Sequence, residues 1–533
     1  MKIKRLLPLF AIGLLLSGCG KTADSTQKTD SDVAKEADAD SLEDSKTKEQ
    51  HKDDVVEGNG SYFVSINDKV YFRKYDADTF SESSLNGEKN NLYIETINSK
   101  KSEICIYDPE SNTIEPFAKD NGYGEIYYLD GLFYLNKYDG KNLIYTLNID
   151  TGKTRTADNM KGKILSLDDK TGSIVTRLFD SDANENSIFI YKDGKTVNSR
   201  TVKSSESSLI YLGTYDGKVY YYQTVGTIDD SEGCEDTFWE YDLTDNKEVC
   251  LGKINPVKEA NNEWLHRWVE ELIKYNDKIY ISYADYEGTP HWWNAGMCLE
   301  ATSGKENSLD VLYDVSETKE GYIYVDANGK VDFSSNITNG YTMSENELDA
   351  NEHGDLLYYE SATDKKVIAK DFIEKYDEAC GFSKSLAKNT ITKIGDKTYM
   401  MLPSFARKNM GDIGWRHYYK VLSVDYLVID GSGKTTVLTG VNTSENYLQV
   451  EVSYEKNSDI LKGNCVGKIP ERENEEIEKG EHDFTYNVAN EVEYIEDGQK
   501  KTKDDFIKYI GNGSKIFKIY FNENGQVNKI EKV

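Results

Sequence analysis

Asp216-Gly217-Lys218-Val219-Tyr220-Tyr221-Tyr222 is a turn-forming pair that runs straight into a short apolar and aromatic stretch. Variants of it recur at Asn67-Asp68-Lys69-Val70-Tyr71-Phe72, Asp130-Gly131-Leu132-Phe133-Tyr134, Asn276-Asp277-Lys278-Ile279-Tyr280, Gly354-Asp355-Leu356-Leu357-Tyr358-Tyr359 and Gly395-Asp396-Lys397-Thr398-Tyr399. A weaker copy is Asp169-Lys170-Thr171-Gly172-Ser173-Ile174-Val175. A turn that feeds a strand, repeated along a chain, marks one supersecondary unit used many times. Between these copies lies a second strand pair, such as Leu143 to Ile149 followed by Asp150-Thr151-Gly152-Lys153, or Phe238 to Leu243 followed by Thr244-Asp245-Asn246-Lys247. Two hairpins per repeat make a four-stranded blade, and blades set radially protect their sheet edges. The expected fold is all-β, a β-propeller of about seven four-stranded blades over residues 58–440.

Composition agrees. The chain has 533 residues, too many for one ordinary core unless the core is built from repeats. Tyr occurs 39 times, and its ring packs while its hydroxyl stays wet, which suits strands with one dry face. The formal charge of −30 repels phosphate backbones, so nucleic acid is excluded as a partner.

The N-terminus carries the most specific signal. Lys2, Lys4 and Arg5 precede an apolar run from Leu6 to Leu16 that is too short to span a bilayer. Leu16-Ser17-Gly18-Cys19 follows and resembles the lipobox of bacterial lipoproteins. That resemblance implies a signal peptide over 1–18, lipidation of the Cys19 thiol with palmitate-type chains, and anchoring at the outer face of the cell membrane. Residues 19–57 are mostly Lys, Asp, Glu, Ser, Thr and Ala, and cannot bury enough surface to offset their ordering entropy. They are expected to form a disordered tether reaching roughly 30–40 Å.

The alternation of turn-Lys-Ile/Val-Tyr-Tyr with strand-Tyr-Asp-x-x-Thr/Ser-Gly-Lys resembles the propeller domains of bacterial surface lipoproteins, which are similar to lipoprotein-receptor β-propellers. The resemblance covers about 380 residues. It implies a fold and carries over no functional residue.

Within the repeats, Trp264, Leu265, Trp268, Val269, Leu272 and Ile273 fall at helical spacing, and predict an amphipathic helix over 258–275. His291-Trp292-Trp293 follows in a loop and is the first ligand-site candidate, because adjacent aromatics can stack on a ligand. Trp415, in Trp415-Arg416-His417-Tyr418-Tyr419, is a second. The plainer account of either is a Trp closing a seam between blades.

From 441 to 533 the texture changes to a small β-rich domain resembling accessory modules of bacterial surface proteins. Strands are expected at Tyr447 to Tyr454, Asp483 to Val488, Val492 to Ile495, Lys515 to Phe521 and Val527 to Ile530, with a turn at Asp497-Gly498. A helix is expected over Thr502 to Ile510, capped by Thr502 with Asp505 three residues on and stopped by Gly511. The order would suit an OB-like barrel.

Other motifs fail. Gly431-Ser432-Gly433-Lys434-Thr435 has Val428 where a phosphate loop needs its first Gly, so it is a hairpin turn. Asp180-Ser181-Asp182-Ala183-Asn184 continues with Glu185 and ends on Tyr191, which is not a calcium loop. The six His show no zinc spacing, and no Gly-x-Ser-x-Gly elbow occurs. No catalytic residue, metal or cofactor is assigned. Cys105, Cys234, Cys250, Cys298, Cys380 and Cys465 are expected to be mostly buried free thiols, since a turn at Asp245-Asn246 sets Cys250 opposite Tyr241 rather than Cys234. The functional expectation is a lipid-anchored extracytoplasmic binding or scaffold protein for a peptide, glycan or partner protein, contacting the membrane through Cys19. The alternatives are a carboxylate-dependent glycan hydrolase or lyase, and a structural spacer.

Overall fold

Hairpin chemistry sets the architecture. In the computed structural model, Asp216 and Gly217 have φ of 48° and 71°, and Tyr215 pairs directly with Lys218. A two-residue loop with both φ values positive has the twist that adjacent antiparallel strands need. Asn67-Asp68, Asp130-Gly131, Asp193-Gly194 and Asp497-Gly498 make the same turn. Other hairpins use a second device. Asp108, Asp180 and Asp242 each accept two backbone N–H groups across a loop that ends in a positive-φ Asn: Asn112, Asn184 and Asn246. These bonds hold the Asp108 and Asp242 carboxyls below their ordinary pKa. Asp430 closes the Gly431–Thr435 turn in the same way, accepting from the Ser432 hydroxyl and from the Ser432 and Lys434 amides.

Residues 50–533 are described, with Thr47, apart from 77–101, 287–296 and shorter stretches between. From Val56 to Asn442 they form eight antiparallel sheets, each made of strands consecutive in sequence. Blade 1 runs from Val56 to Lys119, blade 2 from Tyr123 to Thr156, blade 3 from Lys163 to Lys203 and blade 4 from Ser207 to Ile254. Blade 5 spans Val257–Ser308, two three-stranded sheets span Ser316–Phe333 and Tyr341–Glu374, and the last blade spans Phe382–Asn442. This is a β-propeller. It has eight sheets where the repeats suggested about seven, because the gap after Asp277 holds a sheet whose strand Gly321–Val325 has no Asp-Gly or Asn-Asp pair directly ahead of it in the sequence.

The first and last blades meet without exchanging a strand. Phe63, Phe72, Tyr75 and Cys105 of blade 1 pack with Tyr399, Phe405, Val424 and Tyr426 of the last blade in one buried cluster. The Phe63 and Tyr399 rings lie 5.8 Å apart. The Tyr75 amide donates to the Tyr426 hydroxyl at 3.0 Å, and Thr392 Oγ1 to Ser61 Oγ at 3.1 Å. Burial of each large side chain contributes about 1.5–3 kcal/mol, so packing alone can hold such a seam.

A buried ion pair ties blade 1 to the connection that leads into blade 2, and Arg73 Nη1 donates on to the Gly124 carbonyl of blade 2. Arg73 Nε donates to Asp120 Oδ2 at 2.6 Å, with both side chains fully inaccessible. Asp120 also accepts from the Ser102 hydroxyl and from the Gly122 amide, the latter at 3.0 Å. Gly122 is required sterically: a Cβ there would lie 2.5 Å from Tyr145 Oη and 2.7 Å from the Asn136 carbonyl oxygen.

Two expectations are corrected. Residues 264–275 form a strand, Trp264–Tyr275, paired with Lys278–Tyr286, and not a helix. Leu272 and Ile273 are adjacent and both buried, which a strand covered on two faces allows and which mimics helical spacing. Gly354-Asp355 lies inside the strand His353–Ser361 rather than in a turn ahead of it. Among described cysteines, Cys105 and Cys465 are buried free thiols and Cys250 is an exposed one. Cys250 pairs with Trp239 rather than Tyr241, because the hairpin closes on Asp242 and Lys247 around a four-residue loop and not around a two-residue turn at Asp245-Asn246. Cys19, Cys234 and Cys380 lie outside the described residues, as does the Cys298 side chain.

After the propeller, Tyr447–Tyr454, Ile460–Cys465, Phe484–Glu496, Lys515–Phe521 and Val527–Lys532 close into a five-stranded barrel. Each of the first two pairs with the next, the third pairs in parallel with the fifth, and the fourth returns to the first. This is the strand order of an OB-type barrel. Helix α1, Lys503–Ile510, lies between the third and fourth strands and places Phe506 and Ile510 in the barrel core. Ala406 and Leu422 of the last blade belong to the same buried cluster, so barrel and propeller are packed together. Among the described residues no helix is long and apolar enough to cross a membrane.

Candidate functional site

A break in the barrel wall opens a cavity. Val488 pairs with Val527 and Glu493 pairs with Lys529. Five steps on one strand therefore face two on the other, so the four residues Ala489–Val492 stand opposite Asn528 alone and three of them are surplus, a bulge. The opening is continued by Lys500 and Lys501, by Thr502 at the start of α1, by Tyr520 and Phe521, and by Asn442 at the end of the last blade. Its volume is about 930 Å³, within the range of small-molecule sites, and barrel mouths are a usual place for them.

The lining is polar and basic. It holds Lys500, Lys501, Lys503 and Lys529 against Glu491 and Glu493, in a chain of net charge −30. Lys500 pairs with Glu493 at 2.7 Å and holds that carboxyl below its ordinary pKa. Lys529 Nζ sits 3.6 Å from the centre of the Tyr520 ring and 3.6 Å from Glu531. The Tyr520 hydroxyl donates to Glu531 at 2.7 Å, and burial followed by that carboxylate pushes its pKa up. Thr502 Oγ1 accepts the Asp505 amide at 3.1 Å, and Asp505 Oδ2 accepts the Thr502 amide at 3.2 Å. This capping box uses helix donors that an anion would otherwise meet, so the positive charge at this end of the cavity is that of the lysines. Its lysines equip it to hold a charged solute.

The candidates read from the sequence, His291, Trp292, Trp293 and Trp415, lie outside the described residues. The one histidine whose side chain is described, His51, has both ring nitrogens on carboxylates, leaving neither to take a proton from a nucleophile. No group of three or more His, Cys, Asp or Glu among the described residues could hold a metal ion. Sequence reading missed the pocket because its residues are ordinary Lys, Asn and Glu spread over four strands and a helix start. The one available signal was the interruption between the two strand runs ending at Val488 and beginning at Val492.

No family model matches the chain, and no curated protein matches it. Solved structures do. The β-propeller domain of the trilobed protease from Pyrococcus furiosus is 12% identical, over 69% of this chain and 92% of that one, with a TM-score of 0.28. The Pyrococcus horikoshii acylaminoacyl peptidase is 10% identical over 84% of this chain, with a TM-score of 0.32, and a prolyl endopeptidase is 11% identical over 87%, with a TM-score of 0.37. The chain spans 60% and 61% of those two proteins. At such identities the likeness concerns the propeller fold and transfers no activity. It does correct the functional expectation: these structures are peptidases, where the sequence had pointed to a binding or scaffold protein for a peptide, glycan or partner protein, with a glycan hydrolase or a spacer as alternatives.

Proposed function

We propose that the cavity between the last blade and the barrel takes a small anionic solute, and that the chain is held at the outer face of the cell membrane through lipidated Cys19. The observation that carries the first part is the excess of lysine in the lining of a strongly acidic chain. An anion drawn into it escapes the negative field of the rest of the protein and gains charge-assisted bonds of about 1.5–3 kcal/mol each. The ligand is a phosphate- or carboxylate-bearing small molecule enclosed by the cavity, unlike the polymers and proteins first expected on the propeller face. Lys501→Gln together with Lys503→Gln should weaken the binding of citrate or inorganic phosphate by about tenfold or more. Unchanged affinity in that double variant would remove the pocket from consideration.

The support for the anchor is Leu16-Ser17-Gly18-Cys19 behind a basic and apolar leader. Cys19→Ala should move the protein from the membrane fraction to the soluble fraction, and wild-type protein should carry acyl chains by intact mass. A Cys19→Ala protein still bound to membranes would end this part of the proposal.

A further inference from the structure

The segment before the first blade is pinned to blade 2 by one histidine. His51 Nδ1 lies 2.9 Å from Asp54 Oδ2, and His51 Nε2 lies 2.9 Å from Asp150 Oδ1. Asp54 is within the same segment, whereas Asp150 is in the turn after the blade 2 strand Asn142–Asn148. Thr47 adds to the contact: its hydroxyl donates to Asp150 Oδ2 at 3.2 Å and accepts from Asn148 Nδ2 at 2.9 Å. The Asp130-Gly131 turn lies against the ring, since a Cβ on Gly131 would come within 2.9 Å of His51 Cδ2 and 2.4 Å of Thr47 Cγ2.

This geometry needs two N–H groups on one ring. A neutral imidazole has one, and would turn a lone pair toward the second carboxylate. We propose that His51 is a pH-operated latch: as the doubly protonated imidazolium it holds the stretch before Asp54, Thr47 and Gln50 to Asp53, on blade 2, and on losing a proton it lets that stretch go. The groups facing it are Asp54 on its own segment, Asp150, and Asp130 in the turn against the ring. Beyond them stand Tyr128, whose hydroxyl donates to Asp54, and Tyr71, whose phenol is pushed up to about 12 by burial and then by Asp54 and Asp150. Asn67 Nδ2 also donates to Asp54, at 2.8 Å, so Asp54 stays in place when the ring loses its charge.

The direction follows from linkage. Burial alone would lower the His51 pKa, but the bonds and charges of Asp150 and Asp54 outweigh it and the value is raised above 6.5. The stabilisation is therefore complete below the ordinary value of 6.5 and is lost as pH rises through the higher folded value. With the chain anchored at Cys19, release of these residues would add roughly 25 Å to the tether at full extension.

Hydrogen exchange of the whole lipid-free chain tests this, at about pH 5.5 and about pH 8.5 with times scaled for the intrinsic rate. Protection of amides in 50–54 should fall about tenfold at the higher pH, while blade 3 amides keep theirs. His51→Gln should show the low value at both pH values, and Asp150→Asn should shrink the step. Retained blade 3 protection shows that each variant is folded. Equal protection at the two pH values in the wild type, or wild-type protection in His51→Gln at the lower pH, would overturn the latch.

Discussion

Asp120→Asn removes one charge from the pair that ties blade 1 to the connection into blade 2 and leaves the shape nearly unchanged. Arg73 is then a fully buried cation with no counter-charge beside it. Its Nη1 still donates to the Gly124 carbonyl, and its Nε still meets an amide oxygen in place of the carboxylate. What is lost is the attraction of charges roughly 4 Å apart, about 4 kcal/mol at an effective dielectric near 20. Breaking buried pairs by removal of one partner costs about 3–5 kcal/mol. The expected loss for Asp120→Asn is in that range. It should be read by urea unfolding with fluorescence detection, and should be localised by hydrogen exchange to 69–75 and 102–126. As a contrast, Glu493→Gln breaks the exposed pair with Lys500 and should shift the transition by no more than experimental error, as exposed pairs do. A cost below about 1 kcal/mol for Asp120→Asn would refute the reasoning, because it would mean that water or a moved side chain solvates Arg73.

Other consequences follow from single groups. Burial raises the Asp236 carboxyl to about 6, although Thr224 donates to it. The folded state then binds this proton more tightly than the unfolded chain, so its contribution is full below the ordinary value of 3.8 and is lost as pH rises toward about 6. Asp236→Asn should therefore stabilise the protein by about 1–3 kcal/mol at neutral pH and by nothing near pH 4, in urea titrations at the two values. Tyr426→Phe leaves the buried Tyr75 amide without its acceptor, and should cost about 1–3 kcal/mol with exchange rising at the seam between first and last blades.

Much of this fold could be read from turns. Asp-Gly and Asn-Asp pairs before apolar runs have one comfortable role, because few residues accept two successive positive φ values, and so the hairpins of blades 1 to 4 stand where those pairs are. The α1 cap was legible for the same local reason, with Thr502 and Asp505 in reciprocal bonds. Features that depend on distant partners were not. Trp264–Tyr275 carries a helical spacing, and only its pairing with Lys278–Tyr286 makes it a strand. Arg73 and Asp120 look like two surface charges among many, and their burial is set by the stacking of two blades. The candidate pocket arises from three surplus residues in a parallel pairing, and no local pattern announces a parallel partner 39 residues away at Val527.

The claim that the barrel mouth holds a small anion is tested most directly by calorimetric titration of the lipid-free wild-type chain with citrate and with inorganic phosphate, at low and at high salt. One saturable site is predicted, for at least one of the two, with affinity that falls as salt screens the lysines. An absence of heat for both, or an affinity indifferent to salt, would contradict it.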